Sequence, residues 1–484
     1  MRLVQATAFV VSGAMVAGCG AGYRPVITPT SPSGPASQPA SLVAVVSAPS
    51  STTPGVATII DYSGDTIMAT APIGPGPTSF TIDQTGSNGY TVNSDGTLTN
   101  FPVTATLQQK NVEYTTLPAT AKVLNLFSPS AGLYAADLSG DVVDVLGGFP
   151  ATFKLAIPVA ATPLTVIGPS SIGQRNYVIS QGFSDSTGVA CNVAPRTTAA
   201  LGEADAIETA SNTVSARIPL GKCPVYGVQS PDGRRLFVLN RGDDTITVID
   251  SENNTLNDRC PPPTGCTNQA GQQYFSHPRL PLSTSAGLGG AGVPAIAGPV
   301  YAEYNAKTSQ MVVSDYDGNA INVIDVSLDI YGNDSPTFGT TYTIPVGTNP
   351  ASVTVLNDGS RAYTANQADG TVSIVDLTSH TLTKTLPVNG HPRTVASTQN
   401  SLYGKVYAAS PDSPYLTILR TDQDIIDANV LVQGNIVDVR VTTQDANKGN
   451  VTVVSRKPGY GQPCNLPPNV LAPASATCSR MPIP

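Results

Sequence analysis

Three observations predict an all-β chain built of small antiparallel sheets. One pattern of apolar alternation behind an Asp-Gly pair is written twice without a gap. Turn-forming residues recur at a steady period. Charges are scarce. The two copies are "SPDGRRLFVLNRGDDTITVID" at 230–250 and "LNDGSRAYTANQADGTVSIVD" at 356–376. The chain has 484 residues, 40% hydrophobic and 12% charged, with 44 Gly and 42 Pro. That composition supplies ample apolar material for a large core and favours many turns over long helices.

Within the copies, Asp232/Asp358, Gly233/Gly359, Arg235/Arg361, Asn240/Asn366, Asp243/Asp369, Thr245/Thr371 and Asp250/Asp376 coincide. Each copy reads as strand, turn, strand. The leading Asp-Gly suits a tight turn, and the closing Asp can accept hydrogen bonds from the turn that follows it. A third copy, "QMVVSDYDGNAINVID" at 310–325, places Asp315 where the others have Asn and closes on Asp325. Weaker echoes stand at 132–147 and 405–419. Asn240 and Asn366 read as residues that follow a strand and bond backbone. A residue that recurs with the scaffold is turn chemistry, whereas catalytic groups break symmetry. These Asp and Asn residues are therefore assigned to turns.

A second element, as in "IPVGTNP" (344–350) and "LPVNGHP" (386–392), joins the copies. Its successors start units at Pro77, Pro118, Pro163, Pro224, Pro299, Pro350, Pro392 and, without proline, Ile436. The shortest spacings are 41 to 45 residues. A period of that size with four short strands means propeller blades, small sheets stacked face to face around an axis. The pattern resembles the YVTN-type β-propeller repeat family, clearly over 224–434 and in degenerate form over 75–220, with "AYTAN" (362–366) at the family's namesake position. The resemblance implies a single propeller, often seven-bladed. The count of unit starts favours eight blades, with seven the alternative. Closure is expected from two strands of each end, 56–62 and 65–73 with 436–443 and 450–456, which leaves the strand-like 42–47 over.

The N-terminus reads as an address. Residues 1–18 have one Arg, an apolar run and small residues, a secretory signal too short for a stable span. "VAGC" at 16–19 resembles the lipobox of bacterial lipoproteins, which implies lipid attachment at Cys19 and a place on the cell envelope. Gly20 in place of Asp leans that resemblance toward the outer membrane. The Pro- and Ser-rich 19–41 cannot bury a core and reads as a tether. The propeller is expected over 42–456, with insertions at 181–210 and 252–297, and a Pro-rich tail over 457–484.

Six further cysteines, Cys191, Cys223, Cys260, Cys266, Cys464 and Cys478, make an even count in an exported chain and suggest disulfides. Nearest-neighbour pairing (191–223, 260–266, 464–478) is the simplest scheme, and other pairings stay open.

The familiar catalytic and cofactor patterns are not met. Net charge is −8, and no basic run offers a footprint for nucleic acid. There is no Trp, and His277, His380 and His391 lie apart, which starves haem and zinc sites. "GLGGAG" at 287–292 follows a loop and not a strand, so it fails the dinucleotide context. "DYDGN" at 315–319 resembles the start of a calcium loop, but Val326 stands where the closing acid belongs. No cofactor is expected beyond a divalent cation at the surface or the axis. The sequence therefore points to a monomeric, non-catalytic, lipid-anchored envelope propeller that binds a protein, peptide or glycan. The alternative is a lactonase-like hydrolase with its site in the central channel, because some propellers resembling this repeat family hydrolyse lactones.

Overall fold

The computed structural model describes residues 42–442, apart from 84–85, 119–122, 128–131, 149, 169–174, 183–190, 192–195, 197–198, 269 and 398–403. Those residues form eight four-stranded antiparallel blades in a ring, a β-propeller with almost no helix. Blades 1 to 7 take consecutive strands within 77–116, 123–158, 163–222, 224–281, 299–345, 350–387 and 394–431. The ring has eight blades, as the count of unit starts favours, and not seven.

Blade 8 closes the ring. Its innermost strand is Asn435–Val441, and its outer three are Leu42–Ala48, Pro54–Asp61 and Ile67–Pro75. Closure is thus three strands from one end and one from the other, not two and two. The leftover 42–47 is the strand that makes the seam, pairing Val43 with Val441 and Val45 with Val439. The strand expected at 450–456 lies outside the described residues. Leu42 and Thr442 also exchange hydrogen bonds, so the first and last described residues lie side by side.

In each blade the inner strand runs from the face here called the top to the bottom. The turns between second and third strands and the blade-to-blade connections lie on top. The other two turns of each blade lie at the bottom. Proline opens five inner strands, at Pro77, Pro163, Pro224, Pro299 and Pro350, where a missing N–H costs least. Blade 2 opens later than Pro118, at Val123. The register slips just after the first residue in six of these strands, and in blade 8 between Ile436 and Asp438. A bulge there adds twist and bends the strand toward the axis.

Burial falls from the axis outward. The second strand of blade 4, Arg235–Asn240, is buried at every residue, because both of its faces meet neighbouring blades. The outer strand of blade 6, Thr381–Pro387, is exposed or half-buried throughout. The core is accordingly a series of layers between blades, such as Tyr363, Ile374 and Leu419 between blades 6 and 7.

Polar ties cross the same gaps. The first residue of the second strand is a cation in four blades, and each reaches the bottom turn of the next blade. Arg175 donates to the Ser251 carbonyl (3.2 Å), Arg235 to Asp334 (3.3 Å) and Lys405 to Asp65 (2.6 Å), and Arg361 pairs with Asp424. The Arg235/Arg361 match in the two copies is therefore an inter-blade contact. Replacing Arg361 with Met should lower stability by about 1–3 kcal/mol, since it strands a largely buried carboxylate. Arg234→Met, in an exposed pair, should cost less than about 0.5 kcal/mol. Urea midpoints of the two variants measure the difference.

Candidate functional site

The closing aspartates do what a turn needs. Asp250 Oδ1 accepts from the amides of Glu252 and Asn253, Asp376 Oδ1 from Thr378 and Ser379, and Asp325 Oδ1 from Ser327. The Ser379 amide, with that of Thr378, holds the Asp376 carboxyl below its ordinary range. Asp232 and Asp358 each accept from the amide two residues on, while Gly233 and Gly359 take positive φ values of 71° and 72°.

Asn240 and Asn366 end second strands and point at hydroxyls more than at backbone. Asn240 Nδ2 donates to Thr245 and Thr247, and Asn366 Nδ2 to Thr371 and Ser373. Asn240 Oδ1 also accepts from the Gly221 amide. Asp243 and Asp369 accept from the amides of Lys222 and Thr348, so each fixes the connection that leads into its own blade.

Two blades change the chemistry at these stations. In blade 5 Asp315 replaces Asn, and Asn322 replaces the hydroxyl and donates to it (2.7 Å). Burial, then the charges of Asp244 and Asp317, push the Asp315 carboxyl well above its ordinary value. In blade 2 both stations are acidic. Asp137 pairs in register with Val142 and Asp144 with Ala135, the same diagonal as Asn240 and Thr247. Both are buried, and Asp144 Oδ2 has no hydrogen-bond partner. Burial first, then Asp137, raises Asp144 to about 6. Burial likewise raises Asp205 of blade 3 to about 6.

The symmetry breaks most at the top of blades 3 to 5. Residues 201–208, inside the stretch read as an insertion over 181–210, form the third strand of blade 3; of the residues between it and the second strand, the structure describes 181–182, 191, 196 and 199–200. Cys191 is bonded to Cys223 at the start of blade 4, and both residues are buried. Arg196 donates from Nε to the Cys191 carbonyl and pairs with Asp317 Oδ2 (2.9 Å). Arg241, from the top turn of blade 4, pairs with Asp317 Oδ1 (3.0 Å) and lies over the Tyr316 ring. Burial would raise Asp317, but the Arg241 and Arg196 charges outweigh it and hold the carboxyl low. Burial, then Arg241, lowers Arg196 to about 10.

The second long connection reaches the same place. Residues 283–298 link blades 4 and 5 and contain the "GLGGAG" stretch. Asp244 receives Ser283 Oγ and the Gly298 amide from its two ends. Its tip, from Thr284 to Ile296, carries no charged residue and is mostly exposed. The top turns of blades 4 and 5 thus hold Cys191 and Arg196 through a disulfide and a buried Arg–Asp–Arg cluster, and hold the 283–298 connection through Asp244. Sequence reasoning found Cys191 and Cys223 but missed Arg196, Arg241 and Asp317, since nothing in the order of residues brings three blades together.

The rest of the 252–297 stretch sits at the rim of blade 4. Thr255–Leu256 and Arg279–Pro281 supply its outer strand in two pieces, and the Cys260–Cys266 disulfide staples the loop between them. Cys464 and Cys478 lie outside the described residues, as does Cys19. His277 contacts Asp334 (3.0 Å), His391 contacts Asp412 (2.5 Å) and His380 stacks on Tyr342. Among the described residues no group of three His, Cys, Asp or Glu could hold a metal ion. On the inner strands, Glu303 accepts from the Val355 amide, while Asp438 and Arg440 pair (2.7 Å) and Arg440 donates to the Phe80 carbonyl.

No protein-family model matches the chain, and no curated protein matches it in sequence. Solved structures do resemble it in shape. AztD from Citrobacter koseri superposes with a TM-score of 0.54 at 11% identity, over 83% of this chain and 97% of that one. The dihydro-heme d1 dehydrogenase NirN superposes with a TM-score of 0.55 at 13% identity, over 84% of this chain and 76% of that one. At such identities the likeness shows the fold alone.

The Asp144 carboxyl supplies a test of the blade 2 station. Its folded pKa stands above its unfolded one, so it disfavours the fold increasingly as pH rises from about 4 to 6, and fully above that. Asp144→Asn should therefore stabilise the protein at pH 7.5 by on the order of 1–3 kcal/mol and change little at pH 4. Thermal melts at the two pH values read the difference.

Proposed function

We propose that this chain is a non-catalytic, lipid-anchored protein of the bacterial cell envelope. Its propeller, of the YVTN repeat type, presents the top of blades 3 to 5 to a protein, peptide or glycan partner. One observation carries the reading. Cys191 and Arg196 from one break in the repeat, and the 283–298 connection from another, are tied to the top turns of blades 4 and 5, and the described chain begins and ends at the bottom of blade 8. Loops that interrupt a repeat scaffold on one face are where such proteins bind. The lipobox resemblance at Cys19 and the tether over 19–41 would place that face away from the membrane.

The Arg196–Asp317–Arg241 cluster supports the same reading. Both guanidinium groups pair with the one Asp317 carboxylate, so the cluster holds loop shape and contains no nucleophile–base pair. The lactonase-like alternative draws on Asp144 and Asp205, whose raised carboxyls fall in a range useful for proton transfer. Both lie within blades, tied to scaffold positions.

Capture from envelope extract on immobilised protein tests the reading. The native chain should retain a partner, and Cys191→Ser should lose it while the ring still melts cooperatively, with stability lowered by about 2–4 kcal/mol. Failure of the native chain to retain any envelope component, combined with hydrolysis of sugar lactones, would replace this proposal with the hydrolase.

A further inference from the structure

The bottom face carries an apolar tip with no task in the fold. Between the third and fourth strands of blade 5 the chain makes a projection whose crown is Ile330 and Tyr331. Ile330 is 89% exposed, the most exposed large apolar side chain among the described residues, and Tyr331 beside it is 40% exposed. Exposing an isoleucine so fully costs solubility and gains nothing within the chain.

The tip is held rigidly from below. Asp329 Oδ1 accepts from the amides of Tyr331 (2.8 Å) and Asn333 (2.9 Å), and its backbone exchanges bonds with Asn333 and Gly332. One residue further, the buried Asp334 gathers the Asn257 amide group (2.8 Å), the His277 amide (3.0 Å) and Arg235. Those partners come from blade 4 and the base of its disulfide-stapled loop. The projection is thus fully held before any partner arrives.

Its position in the ring matters. Leu42 and Thr442 lie at the bottom of blade 8, and the tip leaves the bottom of blade 5, three of eight steps round the circle. Further exposed apolar side chains begin outer strands at the same bottom rim: Ile67 and Met68 in blade 8, Phe153 in blade 2 and Leu382 in blade 6. Groups spread over four blades of a ring can be covered together only by an extended plane. A peptide or a small domain would reach one or two of them.

We propose that the bottom face rests on a lipid surface, with Ile330 and Tyr331 inserted at the headgroup level as a second point of contact beside the N-terminal lipid. This rests on the envelope-anchor reading above. A Pro- and Ser-rich tether of the length of 19–41 supplies reach but no orientation. A rigid apolar tip far round the ring supplies the orientation, laying the bottom down and turning the top of blades 3 to 5 outward. Tyrosine suits an interface, since its ring is apolar and its hydroxyl stays hydrated.

The chain contains no tryptophan, so Tyr331→Trp gives a single reporter. The full chain is prepared with Cys19→Ser, which removes the acylation site, and mixed with vesicles of phosphatidylethanolamine and phosphatidylglycerol. Emission from the introduced indole should shift to the blue, and vesicle flotation should carry the protein. Ile330→Asp in the same background should weaken partitioning about tenfold or more. Leu431→Asp, which alters an exposed apolar residue on the top of blade 7, should leave it unchanged, with melting curves confirming that all variants fold. Absence of a shift and of flotation overturns the proposal. So does equal loss with Leu431→Asp, or an Ile330→Asp variant that floats normally but no longer captures an envelope protein. The anchor reading fails separately, if mass spectrometry of the native chain finds no acyl groups on Cys19.

Discussion

The seam between Leu42–Ala48 and Asn435–Val441 is the contact on which the rest of the molecule depends. Every blade is a sheet with two apolar faces, and no blade can cover both by itself. A row of such sheets always leaves two faces bare. Bending the row into a circle removes them, but only if first and last blades meet. Here the meeting occurs inside blade 8, where strands from opposite ends share hydrogen bonds. Apolar layers on both sides of blade 8, through Ala57 and Ile59 toward blade 1 and Val43 and Val45 toward blade 7, exist only once that pairing is made.

Much of this was legible because the repeat is a physical unit. Unit starts at Pro77, Pro163, Pro224, Pro299 and Pro350 open inner strands as spaced, and Ile436 marks the proline-less eighth. The order of closure was not legible. Several strand-like segments near the two ends permit several ways of sharing a blade, and alternation is the same in each. Only pairing geometry, with Val43 opposite Val441, selects one. The insertion expected at 181–210 overlaps a strand for a related reason: "LGEADAIE" is rich in acidic residues, which masks a strand whose Asp205 is buried and whose Glu203 and Glu208 pair with arginines of the same blade.

The site was less legible than the scaffold. Disulfide partners 191–223 and 260–266 follow from proximity in sequence. The Arg196–Asp317–Arg241 cluster joins residues that are distant in the chain and whose spacing obeys no period. A buried carboxylate between two guanidinium groups is costly to desolvate, and it is tolerated because each of its oxygens meets a guanidinium group. The same logic explains the altered stations of blades 2 and 5. Asp315 is matched by Asn322, which restores donor to acceptor, whereas blade 2 sets two acids at the paired stations, and burial with the Asp137 charge raises the Asp144 carboxyl.

Because the innermost strand of blade 8 comes after all seven other blades in the chain, the ring stays open until Val441 is in hand. A polypeptide delivered N-terminus first has seven blades' worth of sequence waiting with an uncovered face. Assembly is therefore gated by completion: the final strand acts as the latch that turns an open row of sheets into a closed ring.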